Sequence, residues 1–354
     1  MAGDSLYFTG PEAVELRERS VEYSAEEVLI ETRVSAISPG TELLIYRGEA
    51  PGDLPADKTL DALDGDLSYP LRYGYAAVGD VVETGSAVDT SGLGRTVFAF
   101  NPHETVFSAT PSALVPVPDG TDPEEMVMYP TVETATTLVL DGAPRIGERV
   151  VVFGAGAIGL CTIGLLASFP LSELVVVDPL AGRRKRARQL GADTAVAPSE
   201  CTETRWNDAA GPEGFDLLYE LSGAPSALDD ALAVSGYDSR IVVGSWYGTK
   251  SPTLDLGGDF HRDRVSIESS QVSTIAPELR GRWSFDRRTE VTLENLASLP
   301  VDSLVTHRIP FEDAPSAYRR LDNHSENALQ ILLTYPDSPE TQTHAQHTDT
   351  ETDR

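Results

Sequence analysis

The chain has 354 residues, with 56 Asp and Glu against 27 Lys and Arg, a formal net charge of −29 and a pI near 4.4. This length exceeds what one hydrophobic core usually serves, and 40% apolar residues suffice for two, so a two-domain globular protein is expected. The acid is spread along the whole chain, which excludes nucleic acid and anionic membranes as partners.

The lysines are Lys58, Lys185 and Lys250, and every other basic residue is arginine. Molar salt shortens the Debye length to about 3 Å, so a dense carboxylate surface of this kind is expected of a halophilic protein. Cys161, in an apolar helical run, and Cys201, in a polar loop, supply neither a disulfide framework nor a cysteine-rich zinc site. The opening MAGDSLYFTG lacks the basic start and apolar core of a signal peptide, and no apolar run is long enough for a bilayer. A cytoplasmic location is expected.

In chain order, strands and turns come first. Val28 to Val34 mixes β-branched and polar residues, and Gly40, Gly48, Gly74, Gly79 and Gly85 punctuate the region, predicting a mostly β lobe. The stretch PADKTLDALDGDLSYP, between Gly52 and Pro70, is too polar for core and reads as an exposed surface loop or short helix; covering a cleft is the alternative. From Arg149 apolar strands alternate with helices. Strands are predicted at Val150–Phe153, Leu174–Val177, Phe215–Tyr219 and Arg240–Val243, and helices at Ala157–Ala167, Arg183–Leu190 and Pro225–Val234. This is the grammar of an α/β fold with a doubly wound parallel sheet. Helices at Arg287–Leu299 and Pro315–Leu321 and a strand at Leu329–Leu333 follow, returning to complete the first lobe. The polar segment from Ser338, with His344 and His347, is expected to be disordered. The domains are thus residues 1–130, completed by 273–336, then 131–272 for the nucleotide, and a tail at 337–354.

The strongest chemical motif is VVVFGAGAIGL. Gly154 makes the tight turn after a buried strand, Gly156 lets the backbone approach a pyrophosphate, and Gly159 lets helix and strand pack closely. The helix opening at Ala157 and Ile158 offers free N–H groups and a positive dipole end to phosphates. Asp178 ends the next strand at the spacing of an acid that accepts from the adenosine ribose hydroxyls. A carboxylate there repels a 2′-phosphate, so NAD is expected over NADP. Arg183, Arg184, Lys185 and Arg186 follow closely enough to reach a phosphate, but read better as the solvated face of a helix.

With EVLIETRVSAIS, YGYAAVGDVVETGSAV, VPVPDG, the GAGAIG turn, VVVDPLAGRRKRARQLGAD, LYELSGAP and RIVVGSWYG in this order, the chain from about Val28 to Tyr335 resembles the medium-chain dehydrogenase/reductase superfamily. SPGTELLIYRGEAP and PTVETATTLVLDG are most similar to its branch containing bacteriochlorophyllide hydroxyethyl dehydrogenase; that substrate is not carried over. The resemblance implies a GroES-like β lobe built from both chain ends, an inserted Rossmann domain, nicotinamide and substrate in the cleft between them, and a homo-oligomer, either dimer or tetramer.

It also implies what is missing. Zinc members place a Cys, a Gly-His-Glu motif and a third ligand where this chain has Ser38, Gly74-Tyr75-Ala76 and, nearby, Glu133. The structural zinc lobe is absent, since Val97-Phe98-Ala99-Phe100 runs on to His103. The expectation is therefore no metal, and hydride transfer between NAD and a small alcohol or carbonyl substrate. Tyr75 and Ser38 would aim hydroxyls at the reacting oxygen, with Tyr75 as general acid if its pKa is lowered and Glu133 orienting it or acting as base. Thr41, Glu42 and His103 are weaker neighbours. Two other readings stay open: a zinc-free quinone or enoyl reductase, and a dinucleotide-binding protein without catalysis.

Overall fold

The computed structural model describes residues 1–203, 214–323 and 326–336. The segment from Ser338, with His344 and His347, and the whole expected tail 337–354 lie outside them.

Valine-rich segments form a six-stranded parallel sheet in the order Thr194–Val196, Glu173–Val177, Arg149–Phe153, Phe215–Glu220, Ser235–Val243, Ser266–Ser269. Numbered by sequence this is 3-2-1-4-5-6, the order of doubly wound dinucleotide-binding sheets. Helices cover the sheet, so its central strands are apolar without alternation: Val150, Val151, Val152, Leu217 and Leu218 are fully buried. The order reverses between Phe153 and Glu220, which pair in register, and that opens a crevice beyond the carboxyl ends of their strands.

The predicted helices occur at Ala157–Leu166, Ala181–Gln189, Pro225–Ala233, Phe285–Ser298 and Ala314–Asn323. The strand expected at Arg240–Val243 begins earlier, at Ser235. Polar Ser235–Ser239 hid it, and Asp238 there adopts a left-handed φ of 60°.

A seven-stranded sheet contains Val305–Pro310, Gln330–Thr334, Val28–Ala36, Ala77–Thr84, Thr96–Ala99 and Leu114–Pro116 in that order, with Val106–Ala109 also paired to Val28–Ala36. Leu332 lies opposite Ala36, so the end of the chain closes on its beginning. A three-stranded sheet of Ala13–Ser20, Ala2–Gly10 and Leu71–Arg72 lies beside it.

Two expectations are corrected. The acidic stretch after Gly52 is not merely an exposed loop, because Ala56, Leu63 and Leu67 are buried in one apolar cluster with Leu43, Ile45, Tyr46 and Tyr73. Ala56, Leu63 and Leu67 face inward while Asp53, Asp61, Asp64 and Asp66 are exposed. Cys201, read as lying in a polar loop, is buried in the helix Pro198–Glu203.

Candidate functional site

At the crevice, each motif glycine answers a different local demand. Gly154 has φ of 99°, and a Cβ there would stand 2.7 Å from the Leu221 carbonyl. A Cβ on Gly159 would come within 2.0 Å of the Gly154 oxygen, so helix and turn touch through it. At Gly156 a Cβ would meet nothing within 4 Å. That glycine keeps open the space into which a pyrophosphate would come, at the start of the helix Ala157–Leu166, whose first N–H groups have no carbonyl within the helix to receive them. Ala157 and Ile158 stand in that first turn.

Asp178, just past the strand Glu173–Val177, is 3% exposed. Its Oδ2 accepts from the Ala155 N–H at 2.8 Å and its Oδ1 from the Leu180 N–H at 2.8 Å. The acid therefore braces the glycine turn. Burial pushes the Arg183 guanidinium below its ordinary pKa, opposed by the Asp178 charge, so Arg183 belongs to this corner of the crevice. Arg184 departs from the expected solvated face: its Nη1 donates to the Asp178 and Pro179 carbonyls, each at 2.8 Å.

Sequence reasoning passed over Glu220. It ends the strand across the crevice and is fully buried. It accepts from the Ser222 N–H at 2.8 Å and from the Tyr247 hydroxyl at 2.6 Å. An acid closing the apolar run of LYELSGAP was the available signal. From Tyr247 the chain runs to the other lobe, where Thr249 N–H donates to the Glu49 carbonyl at 2.8 Å and Lys250 pairs with the Glu49 carboxylate at 3.0 Å.

Glu49 lies just beyond the helix Thr41–Tyr46, the element that carries the second group of candidates. Ser38 leaves the strand Val28–Ala36, and Tyr75 precedes Ala77–Thr84. The Tyr75 hydroxyl donates to Ser38 Oγ and, at 3.4 Å, to Thr41 Oγ1. All three side chains are half-buried. Behind them, the Ser38 N–H donates to Glu42 Oε1 at 2.7 Å, while Glu42 Oε2 accepts from Tyr318 at 2.5 Å and lies 3.1 Å from His103 Nε2. His103 Nδ1 is 2.7 Å from Ser35 Oγ, which is 2.9 Å from the Tyr335 hydroxyl. Gly74 has φ of 116°, and a Cβ there would lie 2.7 Å from the His103 ring. One buried polar network thus supports the backbone of Ser38, and two residues rated weaker, Glu42 and His103, belong to it, while Thr41 meets the Tyr75 hydroxyl.

The condition set on Tyr75 is not met, and Glu133 is placed elsewhere. Burial raises the Tyr75 pKa rather than lowering it, with Ser38 and Thr41 opposing and the Glu42 and Asp57 charges adding to the rise. Glu133 does not orient Tyr75: its Oε1 accepts from Arg288 Nη2 at 2.9 Å and from Tyr129 at 3.3 Å, on the helix Tyr129–Gly142. Burial raises its carboxyl, with Arg288 opposing. The Glu133–Arg288 pair is buried and structural in its contacts. Among the described residues no group of three or more His, Cys, Asp or Glu converges as metal ligands, and the hydroxyls of Ser38, Thr41 and Tyr75 are a poor zinc donor set. No helix among them is long and apolar enough to cross a membrane.

The family model for zinc-binding dehydrogenases matches residues 157–285, the crevice side of the molecule. D-guloside 3-dehydrogenase of Escherichia coli (strain K12) is 28% identical over 338 residues, covering 91% of this chain and 96% of the relative. These matches support the zinc-type alcohol dehydrogenase-like, medium-chain dehydrogenase/reductase superfamily. Solved structures share the fold. 2R,3R-butanediol dehydrogenase from Bacillus subtilis superposes with a TM-score of 0.76 at 19% identity, covering 95% of this chain and all of that one (100%). A short chain alcohol dehydrogenase from E. coli CFT073, complexed with NADH, gives 0.75 at 19% identity, covering 94% and 99%. The zinc-binding dehydrogenase family model begins at residue 157, past Ser38 and Tyr75, so it carries no information about the ligand positions.

Proposed function

We propose that this protein is a nicotinamide-dependent dehydrogenase that interconverts an alcohol and a carbonyl compound, with the hydroxyls of Ser38, Tyr75 and Thr41 serving where related enzymes use zinc. The observation that carries this reading is the Tyr75–Ser38 hydrogen bond, held on the Glu42–His103 network in the lobe that meets the nucleotide crevice through Glu49. The glycine turn and Asp178 fit a dinucleotide, and a bound nicotinamide supplies the hydride acceptor or donor. The Asp178 carboxylate favours NAD over NADP by repelling a 2′-phosphate.

Because Tyr75 gives its proton to Ser38 Oγ, the Ser38 hydroxyl keeps its own proton for a substrate oxygen. In either direction it donates a hydrogen bond to the reacting oxygen and stabilises its alkoxide, while the proton that reduction takes up and oxidation releases is exchanged with solvent. The raised Tyr75 pKa keeps the phenol a donor across the working range. Glu133 has no part in this scheme. The names of the relative and of the structural neighbours, a guloside dehydrogenase and a butanediol dehydrogenase, agree with a hydroxylated substrate.

The test is to mix the protein with NAD and a panel of secondary alcohols, and with NADH and panels of ketones, quinones and enones, following nicotinamide absorbance. Turnover of alcohols and ketones supports the reading. Turnover confined to enones or quinones, or tight NADH binding without turnover on any panel, contradicts it. We also propose that the −29 charge is screened by molar salt in use; thermal stability indifferent to salt contradicts that.

A further inference from the structure

The chain leaving the fifth parallel strand is tied to both lobes at once. Residues 244–250 follow the strand Ser235–Val243 and cross from the nucleotide crevice to the lobe that holds the helix Thr41–Tyr46. At the crevice, the Gly244 N–H donates to the Glu220 carbonyl at 3.0 Å, and Ser245 Oγ accepts from the Gly223 N–H at 2.9 Å. The Tyr247 hydroxyl donates to Glu220 Oε2 at 2.6 Å. The other carboxylate oxygen, Oε1, accepts from the Ser222 N–H at 2.8 Å and from the Ser222 hydroxyl. Leu221 and Ser222 lie against the glycine turn, since a Cβ on Gly154 would stand 2.7 Å from backbone atoms of each. One carboxylate thus joins the wall of the crevice to the strap 244–250.

At its far end the strap runs hard against the other lobe. Gly248 has φ of 64°, and a Cβ there would stand 2.3 Å from the Glu49 carbonyl oxygen. The same oxygen accepts from the Thr249 N–H at 2.8 Å. The Glu49 N–H in turn donates to the Leu44 carbonyl at 2.8 Å, so the contact falls on the helix that carries Thr41 and Glu42.

We infer that Glu220 and Tyr247 are positioning residues: their hydrogen bond latches the strap, and with it the lobe carrying Ser38 and Tyr75, in one register against the nucleotide crevice. This deepens the dehydrogenase reading and rests on it for the reaction that is positioned. Glu220 is fully buried, so it acts through Tyr247 and not on a substrate. Hydride transfer needs its two carbons about 3–3.5 Å apart and aligned, and a misplacement of about 1 Å costs about 10²-fold in rate. The glycine turn that faces the phosphates does not depend on the Tyr247 hydroxyl. Loosening the latch should therefore slow the chemistry and spare cofactor binding.

The test compares wild type, Y247F, E220Q, G248A and the double variant Y247F/G248A, each loaded with NADH. Three quantities are read: the single-turnover hydride rate with the ketone that reacts fastest in the panel above, NADH affinity by calorimetry, and hydrogen exchange of the Thr249 amide. Y247F removes one hydroxyl and keeps the ring. It should slow the hydride step about tenfold or more, leave NADH affinity and the ketone KM within about twofold, and speed Thr249 exchange. E220Q, whose amide oxygen and nitrogen can still meet Ser222 and Tyr247, should stay within about threefold of wild type. G248A disturbs the far end and should also slow the step, and the double variant should be about as slow as the slower single one, because both changes open the same latch. Should G248A not fold, the contrast between Y247F and E220Q decides. A hydride rate in Y247F near wild type, slowing matched by lost NADH affinity, or effects that multiply in the double variant overturn the inference. If wild type turns over no ketone, the dehydrogenase reading fails and Thr249 exchange alone judges the latch: faster exchange in Y247F upholds it, and unchanged exchange removes it.

Discussion

His103 Nε2 lies 3.1 Å from Glu42 Oε2, and both side chains are fully buried. The same carboxylate receives the Ser38 N–H and the Tyr318 hydroxyl, so three parts of the chain converge on it. Removing the shared acceptor leaves buried polar groups unsatisfied, at a cost of about 1–3 kcal/mol. Glu42→Ala should therefore lower the unfolding free energy by about that amount in denaturant titrations, and Glu42→Gln, which keeps the acceptor for Ser38, by less. An alanine variant as stable as wild type would show that the network does not hold the site.

The glycine turn predicts two opposite phenotypes. Gly159→Ala drives a methyl within 2.0 Å of the Gly154 oxygen and should lower the melting temperature along with NADH binding. Gly156→Ala meets nothing within 4 Å, so the fold should be unchanged while NADH affinity falls tenfold or more, the methyl occupying the pyrophosphate approach. Calorimetry and thermal melts on both variants test this. Unchanged NADH affinity in Gly156→Ala would move the phosphates elsewhere.

Asp178 should make NADH bind more tightly than NADPH by about two orders of magnitude, through lost ribose contacts and added repulsion. In Asp178→Ser the gap should narrow, with Arg183 beside the site to receive a phosphate. Wild-type protein that binds NADPH the more tightly contradicts the assignment.

Much of this was legible in the sequence where a residue's role is local. The Gly154, Gly156 and Gly159 spacing and the acid at 178 are consequences of one strand-turn-helix-strand unit, and the observed geometry follows their spacing. What was not legible depends on contacts distant in sequence. Glu133 was placed by analogy with a ligand position, but Arg288, 155 residues away, captures its carboxylate. The Tyr75 pKa could not be signed without knowing that the ring is desolvated among Tyr73 and the segment after Gly52. That segment looked exposed because its composition is polar, whereas Ala56, Leu63 and Leu67 anchor it in the apolar cluster. The buried Glu220 was visible as a residue but not as a partner of Tyr247, which lies on a different loop.

The central claim is that the Ser38–Tyr75 hydroxyl pair stabilises the reacting oxygen. Single-turnover oxidation of NADH with a ketone substrate, on chelator-treated wild type, Ser38→Ala and Tyr75→Phe, tests it most directly. Wild type should retain full activity after chelation. Ser38→Ala should slow the hydride step by about 10²-fold or more, Tyr75→Phe by a comparable or smaller factor, and neither should change NADH affinity. Near-wild-type rates in both variants, or a wild-type rate that disappears on chelation and returns with zinc, would contradict the account.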